Sequence, residues 1–147
     1  MSVLISGPPE AIRGSKVDVI WLRLCAKSLL SALGESRSEL SVALVDDRQI
    51  KGLNKQWRNR PRATDVLSFS QLEGGEANHR SRLLGDVVIS VDTAARQARD
   101  RHRALDEVAA RLLIHGVLHI VGHDHERAEE ARAMRAEERR LWRALHE

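Results

Sequence analysis

Apolar positions change period several times along the 147-residue chain, and each change predicts an element. Val3–Ser6 reads as a short strand cut off by Gly7-Pro8-Pro9. From about Val17 to Leu33, Ile20, Trp21, Leu24, Leu29 and Leu33 recur at broadly helical spacing, and Gly34 stops the helix. Glu39–Val45 alternates polar and apolar as a half-buried strand does. Asp46 or Asp47 then caps a helix carrying Ile50, Leu53 and Trp57, with Trp57 expected in the core rather than free to stack a base. Pro61 takes the basic stretch from Trp57 to Thr64 out of helix. Asp65–Ser70 and Leu83–Val91 read as strands, with a mobile loop expected over Glu73–Arg82, around Gly74-Gly75. Gly85 predicts a bulge or a close backbone approach.

Asp92 or Thr93 caps a short polar helix to about Arg101, and the next helix begins near Leu105. After His125, Met134, Leu141 and Leu145 recur at helical spacing while Glu129–Arg132 and Glu137–Arg140 pair three apart, giving an amphipathic terminal helix. The order β-α-β-α-β-β-α-α-α is an α+β layout. One domain over residues 1–147 is expected, a small mixed sheet of about four strands packed against about five helices.

The helix that begins near Leu105 stands apart. Val108, Leu112, Leu113, Ile114, Val117, Leu118, Ile120 and Val121 make it apolar nearly all round, so it is expected to be buried. On it, His115 and His119 lie four apart, which on a helix means about 40° of rotation and about 6 Å of rise. Their rings share a face and are placed to share a cation. Gly122 ends the helix where a left-handed residue would, so that His125 can return to the same point. Four of the seven histidines fall in residues 115–125, where composition alone predicts about 0.5. The plain alternative is a set of core histidines satisfied by hydrogen bonds. An unsatisfied polar group there costs a few kcal/mol, and a metal satisfies all of them together.

Composition narrows the setting. The chain is 42% hydrophobic and 31% charged, as in a soluble globular protein, and has no apolar run long enough to span a membrane. The N-terminus lacks the basic and long apolar regions of a signal peptide. The single Cys25 excludes an internal disulfide, suits a reducing cytoplasm, and is expected in the core among Trp21, Leu22, Leu24 and Leu29. Net charge is only +3, so nucleic-acid binding has to be argued from local clustering. Arg58, Arg60 and Arg62 provide such a cluster, and an arginine fork suits a phosphodiester. With no Tyr and one Phe, base stacking is a minor term.

Three imidazoles leave a vacant coordination position, which marks a catalytic rather than a structural zinc site. The helix is zincin-like, yet the glutamate of the metalloprotease His-Glu-x-x-His motif is replaced by Gly116, which argues against peptide hydrolysis and suggests close packing. Asp124 either orients an imidazole or caps the loop, His123 is exposed or lies just behind the ligands, and Thr64 and Ser68 bond backbone or substrate.

His115-Gly-Val-Leu-His119-Ile-Val-Gly-His-Asp-His125 resembles the H-G-x-L-H-x-x-G-x-D-H signature of the YbeY family of bacterial endoribonucleases. Leu53-Asn54, Trp57-Arg58, Thr64–Phe69 and Leu84–Ile89 fall in that family's order and spacing, so the resemblance covers about residues 39 to 145. It implies that His115, His119 and His125 bind one Zn2+ and that Arg58 is the functional arginine beside it. It also implies a single-strand-specific endoribonuclease of ribosomal RNA, acting at the 3′ end of 16S rRNA and in ribosome quality control. Its partners would be the small ribosomal subunit and its proteins, with neither membrane nor DNA. The alternatives are a ribosome-assembly factor with a mainly structural metal, and a metalloprotease-like hydrolase. Asn59, Ser70 and His123 depart from the family's usual glycine, proline and aromatic residue.

Overall fold

The computed structural model describes residues 2–7, 17–71, 83–123 and 126–146. Among the described residues nine elements follow one another: β1 (Ser2–Ser6), α1 (Val19–Ala32), β2 (Glu39–Val45), α2 (Asp47–Arg58), β3 (Val66–Ser70), β4 (Leu83–Ser90), α3 (Val91–Arg101), α4 (Leu105–Ile120) and α5 (Ala128–Ala144). Their order is the one read from periodicity. The loop expected over Glu73–Arg82 lies outside the described residues. The sheet order is β1-β2-β4-β3, with β1, β2 and β4 parallel and β3 antiparallel to β4. It is a mixed four-stranded sheet.

One face of the sheet carries the main core, in which Val42, Leu44, Val87 and Ile89 meet α1, α3, α4 and α5. The other face carries a small cluster, Val45, Ile50, Leu67 and Val88, covered by α2. Buried positions surround α4 on nearly every side, as the unbroken apolar sequence predicted. Leu113, Ile114 and Leu118 are fully enclosed, and truncating any one to alanine is worth about 2–5 kcal/mol.

Local chemistry sets the element ends. Gly34 (φ +73°) closes α1 and Gly122 (φ +105°) closes α4. At the latter, Gly122 N–H donates to His119 O and His123 N–H to Leu118 O, the paired bonds of a Schellman stop. Asp46, rather than Asp47, caps α2 in a capping box with Gln49. The cap of α3 is Ser90 and not Asp92 or Thr93, because Ser90 is the last extended residue of β4 and its Oγ accepts from Thr93 N–H. Asn59 is left-handed (φ +58°), which explains how it serves where the related family commonly has glycine. Trp57 is 61% exposed, against the expected core position. The apolar cluster under α2 ends at Ile50, Leu53 and Phe69, so one turn further on Trp57 meets no core among the described residues. Cys25 is buried, and desolvation pushes its thiol up to about 11, so it stays protonated and inert.

Asp47 ties three elements together. Its carboxylate accepts from Ser90 Oγ (2.6 Å), Thr93 Oγ1 (2.7 Å) and the Arg96 guanidinium (2.8 Å). Burial raises its pKa, but those donors outweigh burial and hold it below the usual value. A depressed folded pKa means stability that is present above the unfolded value and lost as pH falls through the folded one. Urea midpoints of the wild type should therefore fall more steeply below about pH 4 than those of Asp47→Asn. Equal slopes would show that Asp47 carries no such share.

Candidate functional site

Helix α4 lies along edge strand β3, and glycine is what brings them together. A Cβ on Gly116 would stand 2.7 Å from Val87 Cγ1, 3.0 Å from Ser68 Oγ and 3.2 Å from Val66 Cγ2. Residue 116 therefore faces the sheet, and a glutamate there would enter the core instead of reaching the histidines. Ser68 Oγ donates to Gly116 O at 2.8 Å and Ser70 Oγ to Ile120 O at 3.4 Å. Two strand residues span about 6.7 Å and four helical residues about 6 Å, so alternate serines on β3 match carbonyls one turn apart on α4. Ser70 thus has a use for its hydroxyl where the related family often has proline. Gly85 makes a further close approach, as expected: its Cβ would meet Phe69 O at 2.5 Å, and the register slips by one residue between Glu39 and Leu40.

Along this seam runs an open cavity of about 850 Å³, lined by Arg58, Arg60, Arg62, Thr64, Asp65, Ser68, His115, His119 and His123 among others. Eight of these were named from sequence. Asp124 and His125 lie outside the described residues. The His115 and His119 Nε2 atoms approach to 3.1 Å, with rings steeply inclined at 72°. Two nitrogens on adjacent corners of a zinc tetrahedron, each at about 2.0–2.1 Å, stand about 3.3 Å apart. The pair therefore fits a shared cation, and neutral imidazole nitrogens are suitable donors. Among the described residues no third His, Cys, Asp or Glu joins them. Behind the pair, Glu138 Oε1 on α5 is 3.6 Å from His115 Nδ1, on the ring edge away from the cavity nitrogen. A carboxylate there favours the proton on Nδ1 and leaves Nε2 as the donor.

Arg58 closes the other side. It ends α2, and its Nη2 donates to Ser68 O at 2.5 Å while its Cζ lies 5.1 Å from the Phe69 ring centroid. The strand-edge carbonyl that a bound peptide would use is thereby occupied, and the remaining guanidinium donors border the cavity. Asn54, buried, gives Nδ2 to Arg62 O at 2.9 Å and so anchors the arginine turn. Ser68, expected at backbone or substrate, gives its hydroxyl to backbone. Glu138 and Asn54 were not singled out for a role by sequence reasoning. Glu138 is one of several glutamates on a polar face, and Asn54 carried no signal beyond falling in the matched stretch.

Comparison with known proteins gives a consistent picture. The family described as endoribonuclease YbeY matches residues 15–146. Endoribonuclease YbeY of Anaeromyxobacter dehalogenans is 48% identical over 141 residues, covering 96% of this chain and 69% of that protein. The Aquifex aeolicus endoribonuclease YbeY is 44% identical over 128 residues, 87% of this chain and 80% of its own length. For the Myxococcus xanthus endoribonuclease YbeY, 50% identical over 116 residues, the chain spans only 40% of the relative's length. The solution structure of a Thermotoga maritima protein is similar at a TM-score of 0.64 and 22% identity, covering 97% of this chain and 88% of that one, a likeness of fold.

Proposed function

The chain belongs to the endoribonuclease YbeY family, and from that premise we propose that it is a zinc-dependent endoribonuclease that cleaves single-stranded RNA. His115, His119 and His125 would hold the metal. The observation that carries this reading is the convergence of two imidazole nitrogens on a cavity whose opposite wall is Arg58. When bound, the cation supplies Lewis acidity and lowers the pKa of a water. The chain's own residues do the rest. Arg58, braced on Ser68 O and Phe69, grips the scissile phosphate and offsets the charge that grows on it. Arg60 and Arg62, on the turn held by Asn54, meet neighbouring phosphates. Thr64 and His123 line the same cavity, and Asp124 would steady a ligand or the loop. We further propose ribosomal RNA, at the 3′ end of the small-subunit 16S rRNA and in ribosome quality control, as the cytoplasmic substrate, met together with the small subunit. No described helix is long and apolar enough to cross a membrane.

Elemental analysis of the purified protein, paired with cleavage of single- against double-stranded RNA, tests the proposal. One zinc per chain is expected, with activity lost to a chelator and restored by zinc. Cyclic phosphate ends on the products would identify the ribose 2′-hydroxyl as nucleophile, whereas simple phosphate ends would identify water. His119→Ala should abolish cleavage while folding survives. Parallel loss of melting temperature and cleavage would instead favour an assembly factor with a structural metal.

A further inference from the structure

We infer that the cavity continues past His115 into a second, separate phosphate subsite, ringed by Arg101, Arg103 and Arg111, which holds the RNA strand at least one nucleotide from the bond being cut. This rests on the RNA-cleaving reading of the main cavity. The second cavity measures about 370 Å³ and shares His115 and Asp65 with the first, so one strand can lie across both.

Its arginines are brought together by the connection between α3 and α4. Helix α3 ends at Arg101, and the chain reverses through His102 at φ +54°, with Arg103 N–H donating to Ala98 O at 2.9 Å. A left-handed residue that is not glycine costs about 1 kcal/mol, so this reversal is held by its surroundings. It sets Arg101 and Arg103 on either side of the turn, next to Arg111 one helix further on.

Two of the three guanidiniums are held in place. Arg111 sits over the Trp142 ring, its Cζ 4.0 Å from the centroid, and Glu107 stands between Arg103 (3.2 Å) and Arg111 (4.0 Å). One carboxylate thus serves two cations. Of the two acids that line the pocket, Asp65 accepts from Gln97 at 3.1 Å and Glu138 faces His115. Arg101 makes no side-chain hydrogen bond or ion pair among the described residues. Its fork is available to an anion, and the remaining donors and charge of Arg103 and Arg111 beside it suit a phosphodiester. The strand would then be gripped on both sides of the histidines, by Arg58 on one and by Arg101 on the other.

The test uses the zinc-loaded protein and single-stranded RNA of stepped length, with binding read by fluorescence anisotropy and cleavage by initial rates. Wild-type affinity should rise with length until both arginine groups are spanned. Arg101→Glu should flatten that rise, raise KM on long RNA about tenfold with kcat kept, and reduce the salt slope of binding by about 0.7 for each phosphate no longer neutralised. Arg101→Lys should restore most of the salt slope. Arg101→Glu binding like wild type at every length overturns the subsite, and so does a fall in kcat alone. A wild type that neither binds nor cuts RNA overturns the endoribonuclease reading itself.

Discussion

Arg58→Glu is expected to lower cleavage of single-stranded RNA by about 10²–10³-fold, the usual cost of removing a preorganised donor from a developing oxyanion. Under the proposed zinc-site reading, zinc content should not change, because none of the proposed ligands is touched. Melting temperature should stay within about 3 °C, since Arg58 is exposed and exposed charge pairs contribute little to stability. The side chain does two things at once. One N–H goes to Ser68 O and the guanidinium sits over Phe69, which fixes its plane; the other donors remain for substrate. Arg58→Lys separates these roles, for a lysine retains the charge and loses the fork. Partial loss, about tenfold and mostly in kcat, is expected for it. Arg58→Glu cleaving at the wild-type rate would remove Arg58 from the proposed chemistry.

A large effect on folding is expected at Gly116. Alanine there gains about 1 kcal/mol in helix propensity. Against that, its methyl would stand 2.7 Å from Val87 Cγ1, on a fully buried residue of the central strand β4, with Ser68 Oγ and Val66 Cγ2 close by. Relief requires α4 to lift from the sheet, stretching the Ser68 to Gly116 bond, and such overpacking costs about 1–3 kcal/mol. A net fall in melting temperature of about 5 °C is expected for Gly116→Ala, and at the proposed metal site weaker zinc binding, because His115 moves with its neighbour. Gly116→Glu buries a charge in the same place and should fail to reach a stable fold. Equal stability of Gly116→Ala and wild type would show that the helix and sheet can part without cost.

Much of this was open to reading from residues alone, for a definable reason. The nine elements, the buried character of α4, its stop at Gly122 and the shared face of His115 and His119 all follow from spacing within one element. Rise and rotation per residue are properties of the backbone and need no partner. Where an outcome depended on what lay opposite, the reading was ambiguous or wrong. Trp57 has the right spacing for a core position, and only the extent of the cluster beneath α2 leaves it outside. Asp92 and Thr93 are good caps, yet the end of β4 gives that place to Ser90.

Thus the amino-acid order by itself determined the elements, their sequence along the chain, the family and the pair of imidazoles. The tertiary structure decided what those imidazoles face: Ser68 against Gly116 across 48 positions, Glu138 behind His115, Arg58 braced on β3, and a second ring of arginines beside the first cavity. Periodicity is a short-range property of the chain. Which faces meet is set by how helices and sheet bury their apolar surface together, and that exists only once the whole chain has packed.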